Sequence, residues 1–392
     1  MENWFSHLDY YLLGALAWVM LYQCYFYLRY MAGVVRWQRR HATEPPIADE
    51  DLPKVSVIVC ARNEQTNLSD YLHTLLGQDY PCYEVIVVND GSEDDTQQVL
   101  ERYAQQCNNL YITFVPCEAR VISSKKLALT IGIKAAHYDY LLLTDADCRP
   151  ESRNWIREMM SGFVRGGEQT EVVLGYGAYM EKQTVLSSLI SYDTLFIGLQ
   201  YMGMAAAGHP YMGVGRNLAY KRATFFAHDG FRGLLNERSG DDDLFVNKVT
   251  NKHNAAIVGS RDSITWSPPK TSWGEWLHQK RRHLSVSHHY KTGSKLRLGT
   301  EPMTRALLYA LLIATFVWGG AWAMMIAVGL WWLRLIMQLS VINTAAYRLG
   351  GRLFGIEIVA YDIALPLISL WILLTQRFRK KHIYWYYNPI QF

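Results

Sequence analysis

Between Lys54 and Asp147 short apolar strands alternate with helices, and this alternation constrains the fold more than any other feature of the 392-residue chain. Val55 to Cys60 is a strand by its β-branched content. Asn67 to Leu76 reads as a helix, Glu84 to Val88 as a strand, and Asp94 to Gln106 as a helix with acidic residues in its first turn. Tyr111 to Val115 is the next strand, Lys125 to Ala136 the next helix, and Tyr140 to Leu143 a strand again. Parallel neighbours need a crossover, usually helical, so the pattern predicts an α/β fold with a mostly parallel, doubly covered sheet.

The last of these strands ends in Thr144-Asp-Ala-Asp147. Alternate residues of an extended chain point to the same side, so Asp145 and Asp147 can face one site. That site lies past the strand's carboxyl end, where open α/β sheets bind ligands. Two hard oxygen ligands there suit Mg²⁺ or Mn²⁺ holding a diphosphate. No glycine-rich loop opens any of the helices, which excludes a P-loop and a G-x-G-x-x-G dinucleotide site.

After Pro150 the sequence predicts a helix over Trp155 to Val164 and a strand over Val172 to Tyr176. Ser187 to Ala207 is apolar and rich in Gly and Met, either a buried helix or one near a membrane. A glycine turn at 213–215 presents Arg216 and Asn217, candidates for the acceptor side of a site. Gly240-Asp-Asp-Asp-Leu244 sets three carboxylates before a helix, more than a cap needs, and Asp243 is the one expected to cap. Trp273 to Tyr290 is a basic, aromatic helix with Trp273, Trp276, Leu277 and Leu284 on one stripe, suited to a bilayer surface. Gln279, Arg282 and His283 share another face.

The chain's ends are apolar. Tyr10 to Leu28 carries no charge and is long enough to span a bilayer. Arg29, Arg36, Arg39, Arg40 and His41 follow it, the reverse of a cleaved signal peptide. The expectation is a retained anchor with its carboxyl end in the cytoplasm of an inner or plasma membrane. Ala306 to Leu333 is a long uncharged run, and Phe354 to Thr375 is apolar but interrupted by Glu357, Asp362 and Pro366. Basic residues on both flanks leave the number of C-terminal crossings open. The expected organisation is an anchor at 1–42, a Pro- and acid-rich linker at 43–53 and a catalytic domain at 54–270. An interfacial region at 271–303, a membrane region at 304–376 and a basic cytoplasmic tail at 377–392 follow. The net charge of +4 is too weak to argue for nucleic acid. The six cysteines show no C-x-x-C pairing and read as reduced, with no zinc site.

These motifs resemble those of the family-2 glycosyltransferases, which have the nucleotide-diphospho-sugar transferase (GT-A) fold. V-S-V-I-V-C-A-R-N-E is similar to that family's first strand and turn, ending at Glu64. V-N-D-G-S-E-D-D-T resembles its nucleotide-binding turn, with Asp90 at the base-contacting position. S-K-K-L-A-L-T-I-G-I resembles its lysine-bearing helix, which implies Lys125 near the phosphates. T-D-A-D resembles its metal motif, implying Asp145 on the donor and Asp147 on the metal. G-D-D-D-L resembles its base motif, implying Asp242 as base and Asp241 beside it in place of the usual Glu. Q-K-R-R-H resembles the Q-x-x-R-W motif of membrane-bound members such as ceramide glucosyltransferases and polysaccharide synthases, implying Gln279 and Arg282 at the donor diphosphate. His283 stands where that motif has Trp.

The resemblance covers roughly residues 54 to 285. It implies an inverting transferase moving a sugar from a nucleotide-diphosphate donor, UDP favoured, to a lipid or lipid-linked acceptor. The alternatives are a processive polysaccharide synthase, which needs helices enough for a channel, and a catalytically silent membrane scaffold. A nucleotidyltransferase usually carries a glycine- and arginine-rich first turn, whereas this one is C-A-R-N-E. Donor sugar, acceptor and oligomeric state are not legible. The charge pattern makes one direct prediction: a cysteine placed in the 43–53 linker resists impermeant maleimide in intact cells. Labelling from outside overturns the topology.

Overall fold

The computed structural model describes residues 2–116, 124–235, 237 and 239–378. Cys117 and nearly all of the expected basic tail lie outside them.

The chain opens with α1 (Glu2–Phe26), one π-helical turn (Tyr27–Met31) and α2 (Gly33–His41). The alternating region follows as β1 (Val55–Ala61), α3 (Gln65–Leu76), β2 (Tyr83–Asn89), α4 (Thr96–Ala104), β3 (Leu110–Phe114), α5 (Ser124–Ala135) and β4 (Tyr140–Asp145). β1 pairs in parallel with β2 on one side and β4 on the other, and β2 with β3. The strands are as expected to within a residue or two: β1, β2 and β4 are buried on both faces and read as apolar runs, while β3 lies at the sheet edge and is partly exposed.

Beyond Asp145 the chain forms β5 (Arg149–Pro150), α6 (Trp155–Gly166), β6 (Val172–Leu174), β7 (Gly177–Tyr179), α7 (Val185–Ala206), β8 (Leu218–Lys221), α8 (Arg222–Ala227), α9 (Asp243–Val249), β9 (Ala255–Ile257) and β10 (Thr265–Ser267). The main sheet runs β3-β2-β1-β4-β8-β6-β9, and a small sheet runs β5-β10-β7. β8 is antiparallel to both β4 and β6, with Leu143 opposite Leu218. That reversal brings the start of β8, and the turn before it, beside the carboxyl end of β4. The single strand expected over Val172 to Tyr176 is broken instead. β6 stays in the main sheet and β7 joins the small one.

One face of the sheet is covered by α3, α4 and α6 through Leu68, Leu72, Leu75, Leu100 and Trp155. The other face belongs to a larger core that also takes in Tyr27, Met31, Ile342 and Ile358 from the terminal helices. Sheet and terminal helices therefore share one hydrophobic interior. α7 lies in it, apolar all round and buried on nearly every face, as a helix without a polar side must be. Its Gly203 meets the N-terminal helices so closely that an added Cβ would fall 1.8 Å from the Tyr30 carbonyl oxygen.

The C-terminal part comprises α10 (Trp273–Ser285), α11 (Thr292–Trp318), α12 (Ala321–Arg348) and α13 (Glu357–Phe378). Among the described residues three helical segments, His7–Met31, Ala321–Arg348 and Glu357–Thr375, are long and apolar enough to cross a membrane. The Ala306 to Leu333 run is not a single span. It breaks at Gly319-Gly320, where the Asp9 carboxylate accepts a hydrogen bond from the Gly320 amide at 2.9 Å. Nor does the chain divide at 303, since α11 runs unbroken from Thr292. The helix expected to reach Tyr290 stops at Ser285 and gives way to a 3-10 turn. Trp276 points inward and is 2% exposed, so only Trp273 of that stripe's tryptophans stays at the surface.

The Asp362 interruption has a partner. Its carboxylate accepts from Arg334 Nη1 at 2.8 Å, Arg305 Nη1 at 3.0 Å and Tyr309 at 2.9 Å. Arg334, one of the basic residues flanking the uncharged 306–333 run, is 1% exposed inside this network. Charged groups amid apolar helices are sustained only by such pairing.

The α7 contact yields a paired test. Gly203→Ala forces the backbones apart and should destabilise the detergent-solubilised protein by about 1–3 kcal/mol. Gly14→Ala, with open space around it, should be neutral or stabilising. Thermal melts of the two variants check this.

Candidate active site

The carboxyl ends of β1, β2 and β4 converge on one edge of the sheet. Asp145 ends β4, where its register partner on β1 is Cys60. Lys125, in the first turn of α5, donates to Asp145 Oδ1 at 3.0 Å and reaches Asp241 Oδ2 at 3.4 Å. One amine thus ties the end of β4 to the aspartate run before α9. Burial works against its charge, but Asp145, Asp241 and Asp242 outweigh burial and keep it protonated well above the usual range.

The three adjacent aspartates have three different environments. Burial pushes Asp241 up, but Lys125 and Lys126 outweigh it and hold the carboxyl below its ordinary value. Asp242 is raised, first by burial and then by Asp241. Its Oδ2 accepts from the Gly215 amide at 2.7 Å and its Oδ1 from the Asp243 amide at 2.8 Å. Asp242, not Asp243, is therefore the residue that caps α9. Asp243 accepts from the Leu244 amide through Oδ1 and from the Tyr290 hydroxyl through Oδ2, each at 2.8 Å, and burial with Asp242 beside it pushes its carboxyl up to about 7. Lys126, fully buried, donates to the carbonyls of Glu237 and Ser239 and fixes the loop entering this run. Spacing alone gave no sign of Lys126, because a second lysine in a helix reads as a solvated one.

Asp145, Asp147 and Cys148 place their ligand atoms within 4.8 Å of one another. Burial and Asp145 raise the Asp147 carboxyl, a repulsion that a divalent cation would relieve. The buried Cys148 thiol is pushed up to about 12, stays protonated and adds no hard ligand. The donor set fits Mg²⁺ or Mn²⁺ on the two carboxylates rather than a thiolate metal.

Glu64 stands at the start of α3, close enough to this pair that burial, Asp147 and Asp145 raise its carboxyl against a hydrogen bond from Asn67. Asp90, 5% exposed, follows β2 with Oδ1 lacking any partner among the described residues. An unpaired buried acceptor costs free energy until a ligand donates to it. Gln279 donates to the Tyr179 hydroxyl at 2.8 Å, and Arg282 holds a buried Nε without a partner among the described residues.

Arg216 and Asn217 part company. Arg216 stacks 4.2 Å over the Tyr179 ring and donates to the carbonyls of Gly177 and Ala178. It lines a cavity of about 540 Å³ that also exposes Asp242, Asp243, Gln279 and His283. Asn217 is fully buried. Its amide donates to the carbonyls of Tyr176 and Ser263 and accepts from Trp155 Nε1, so it braces β8 and cannot reach an acceptor. Sequence alone did not separate the two, since both belong to one polar turn.

The central parallel strands, the reversed β8 and the carboxylates at their carboxyl edge define the GT-A class. A solved structure agrees in fold: a mannosyltransferase, PcManGT, from Pyrobaculum calidifontis, in complex with GDP-Man and Mn²⁺. It superposes with a TM-score of 0.54 at 19% identity, over 94% of this chain and 99% of that one. Residues 56–227 match the family model described as Glycosyl transferase family 2, and the chain thus carries a glycosyltransferase domain of that family. A probable glycosyltransferase, YdaM, of Bacillus subtilis (strain 168) is 23% identical over 285 residues, 68% of this chain and 63% of that protein. The poly-beta-1,6-N-acetyl-D-glucosamine synthase of Staphylococcus epidermidis is 36% identical over 93 residues, 24% of this chain and 21% of that protein.

Asn217→Ala should destabilise the protein by about 2–4 kcal/mol, since it leaves buried partners unsatisfied. What folded protein remains should keep its acceptor KM. A raised KM at unchanged melting temperature contradicts the bracing role.

Proposed function

We propose that this chain is a membrane-bound, inverting transferase that moves a sugar from a nucleotide-diphosphate donor to a hydroxyl of a lipid or lipid-linked acceptor. The observation that carries this reading is the cavity. It begins at Asp242, passes between α7 and α10, and ends among Leu298 and Pro302 of α11 and Ser369 and Leu373 of α13. Its wall is mostly apolar, as an acyl or prenyl chain requires, and its far end lies among the helices taken to lie at the membrane.

The donor's base and ribose would occupy the edge marked by Glu64 and the unpaired Asp90 oxygen. Asp145 and Asp147 would hold Mg²⁺ or Mn²⁺, which supplies positive charge to the departing diphosphate. Arg282 and Lys125 are placed to add to that charge. In one displacement the acceptor oxygen bonds to the anomeric carbon as the bond to the diphosphate breaks, and the hydroxyl proton passes to Asp242. Asp242 suits a base better than Asp241: its carboxyl is raised, while the Lys125 pair holds Asp241 low. No Ser-His-Asp or Cys-His constellation was read from the sequence, and none is needed for a direct displacement. UDP is favoured as the nucleotide on motif resemblance.

A second reading, a processive polysaccharide synthase, draws on the synthase relative and on the aromatic residues of the cavity, among them Tyr176, Tyr201 and Tyr211. Three candidate spans among the described residues are few for a channel. His283 in place of the motif's Trp offers a smaller ring for stacking at that position. The cytoplasmic placement of the catalytic domain belongs to the same proposal, since it puts the site where nucleotide sugars are made.

The test is a screen of nucleotide sugars with detergent-purified protein and lipid extract, read by mass spectrometry of the extracted lipids. Asp147→Ala should abolish metal-dependent donor binding in a protein that still folds. Asp242→Asn should keep donor binding and lower transfer by at least about 10²-fold. Full activity of Asp147→Ala in chelator removes the metal assignment, and a polymer product in place of a glycolipid selects the second reading.

A further inference from the structure

Asp243 and Tyr290 are not needed by the mechanism above, yet both line the cavity next to Asp242. Two elements distant in sequence bring them together. Asp243 opens α9, and Tyr290 follows the 3-10 turn after α10. The turn is tied to α9 a second time, where the Asn247 side chain accepts from the Lys291 amide at 2.9 Å and donates to the Tyr211 carbonyl at 2.8 Å. Tyr211 also meets the Tyr290 ring edge-on at 6.0 Å. The tyrosine is thus held rigidly, its hydroxyl proton committed to Asp243. Among the described residues no group donates to its oxygen, so its lone pairs remain for a ligand hydroxyl.

The charges at this end of the cavity oppose an anionic nucleophile. Asp241, Asp242 and Asp243 are adjacent, and the lysine nearest them is already shared between Asp145 and Asp241. Lys126 is turned into the loop carbonyls. Further along the wall, Lys280 is paired with Asp193 at 2.6 Å, Lys295 donates to the His288 carbonyl at 3.1 Å, and Arg216 keeps its charge while its donors are held by the carbonyls of Gly177 and Ala178 and by Ser267. A phosphate brought against Asp242 would meet repulsion in a partly dehydrated site, where unit charges a few ångströms apart interact strongly. A phosphate oxygen also needs no base, whereas a hydroxyl does.

We propose that the acceptor's head group is neutral and hydroxyl-bearing, and that the Asp243–Tyr290 pair positions that hydroxyl against Asp242 and rejects lipid phosphates. This rests on the lipid-acceptor reading and adds a head-group class and two positioning residues to it.

The test uses the full chain in detergent and two probes with the same tail, 1-O-hexadecylglycerol and hexadecyl phosphate, with retention read by native mass spectrometry. At pH 8, above the raised Asp243 carboxyl, the glycerol ether should be retained roughly tenfold or more over the phosphate. Tyr290→Phe should lower retention of the glycerol ether by about fivefold, the equivalent of one hydrogen bond. Asp243→Asn keeps an acceptor for Tyr290 and removes the charge, so the preference over the phosphate should shrink by roughly tenfold. A merely structural role would lower retention of both probes together and leave their ratio fixed. A fixed ratio in both variants, or a wild-type chain that retains hexadecyl phosphate as well as the glycerol ether, overturns the proposal. Retention of neither probe overturns the lipid-acceptor reading, and this inference falls with it.

Discussion

The Lys125 ammonium, shared between Asp145 and Asp241, is the contact on which the rest of the site depends. It joins the end of a strand to the start of a helix almost a hundred residues later. The Lys125 and Asp145 side chains are 38% and 33% exposed, so that half of the contact fixes position more than it adds energy. Asp241 is the buried member at 10%, and drifting from the lysine would leave its carboxylate unpaired. The opposite shifts of the Asp241 and Asp242 carboxyls follow from the same geometry, because the first sits on the lysine and the second a residue away. An arrangement that fixes position also sets two chemically identical groups apart, one held low by its ion pair and the other raised by burial.

The central sheet was legible because burial on both faces leaves an apolar run with polar residues only at its ends. The carboxyl-edge groups were legible for the same reason: Asp90, Asp145 and Asp147 are what interrupts those runs. Where strands are short and switch sheets, as at β6 and β7, the run carries no sign of the break. The aspartate run shows a subtler limit. Local sequence predicts that one of three neighbours caps α9, but Gly215 and Tyr290, from elsewhere in the chain, decide which. Asn217 and Arg216 differ for a similar reason, since Trp155 on a distant helix claims the first.

Hydropathy was least informative about the helices at the chain's ends. Composition finds apolar stretches but not their partners, so it merged α11 with α12 and read Arg334 as a flank. The two glycines at 319 and 320 were visible, but their meaning depends on Asp9 from the other end of the chain. Likewise, Trp276 looks like an interface anchor on a helical wheel and proves to be a wall of the cavity.

The linker between anchor and sheet reads as a tether, being rich in proline and acid. In the fold it is strapped down: Glu44 pairs with Arg165 at 2.9 Å, Asp49 with Arg157 at 2.7 Å, and the Pro53 carbonyl accepts from Tyr80. With α7 wedged against Tyr30 on the other side, the first helix and the sheet are braced against each other. α7 is also one wall of the cavity. A tilt of α1, such as a change in bilayer thickness would impose on a spanning helix, would therefore press on the cavity wall through Tyr30 and Gly203.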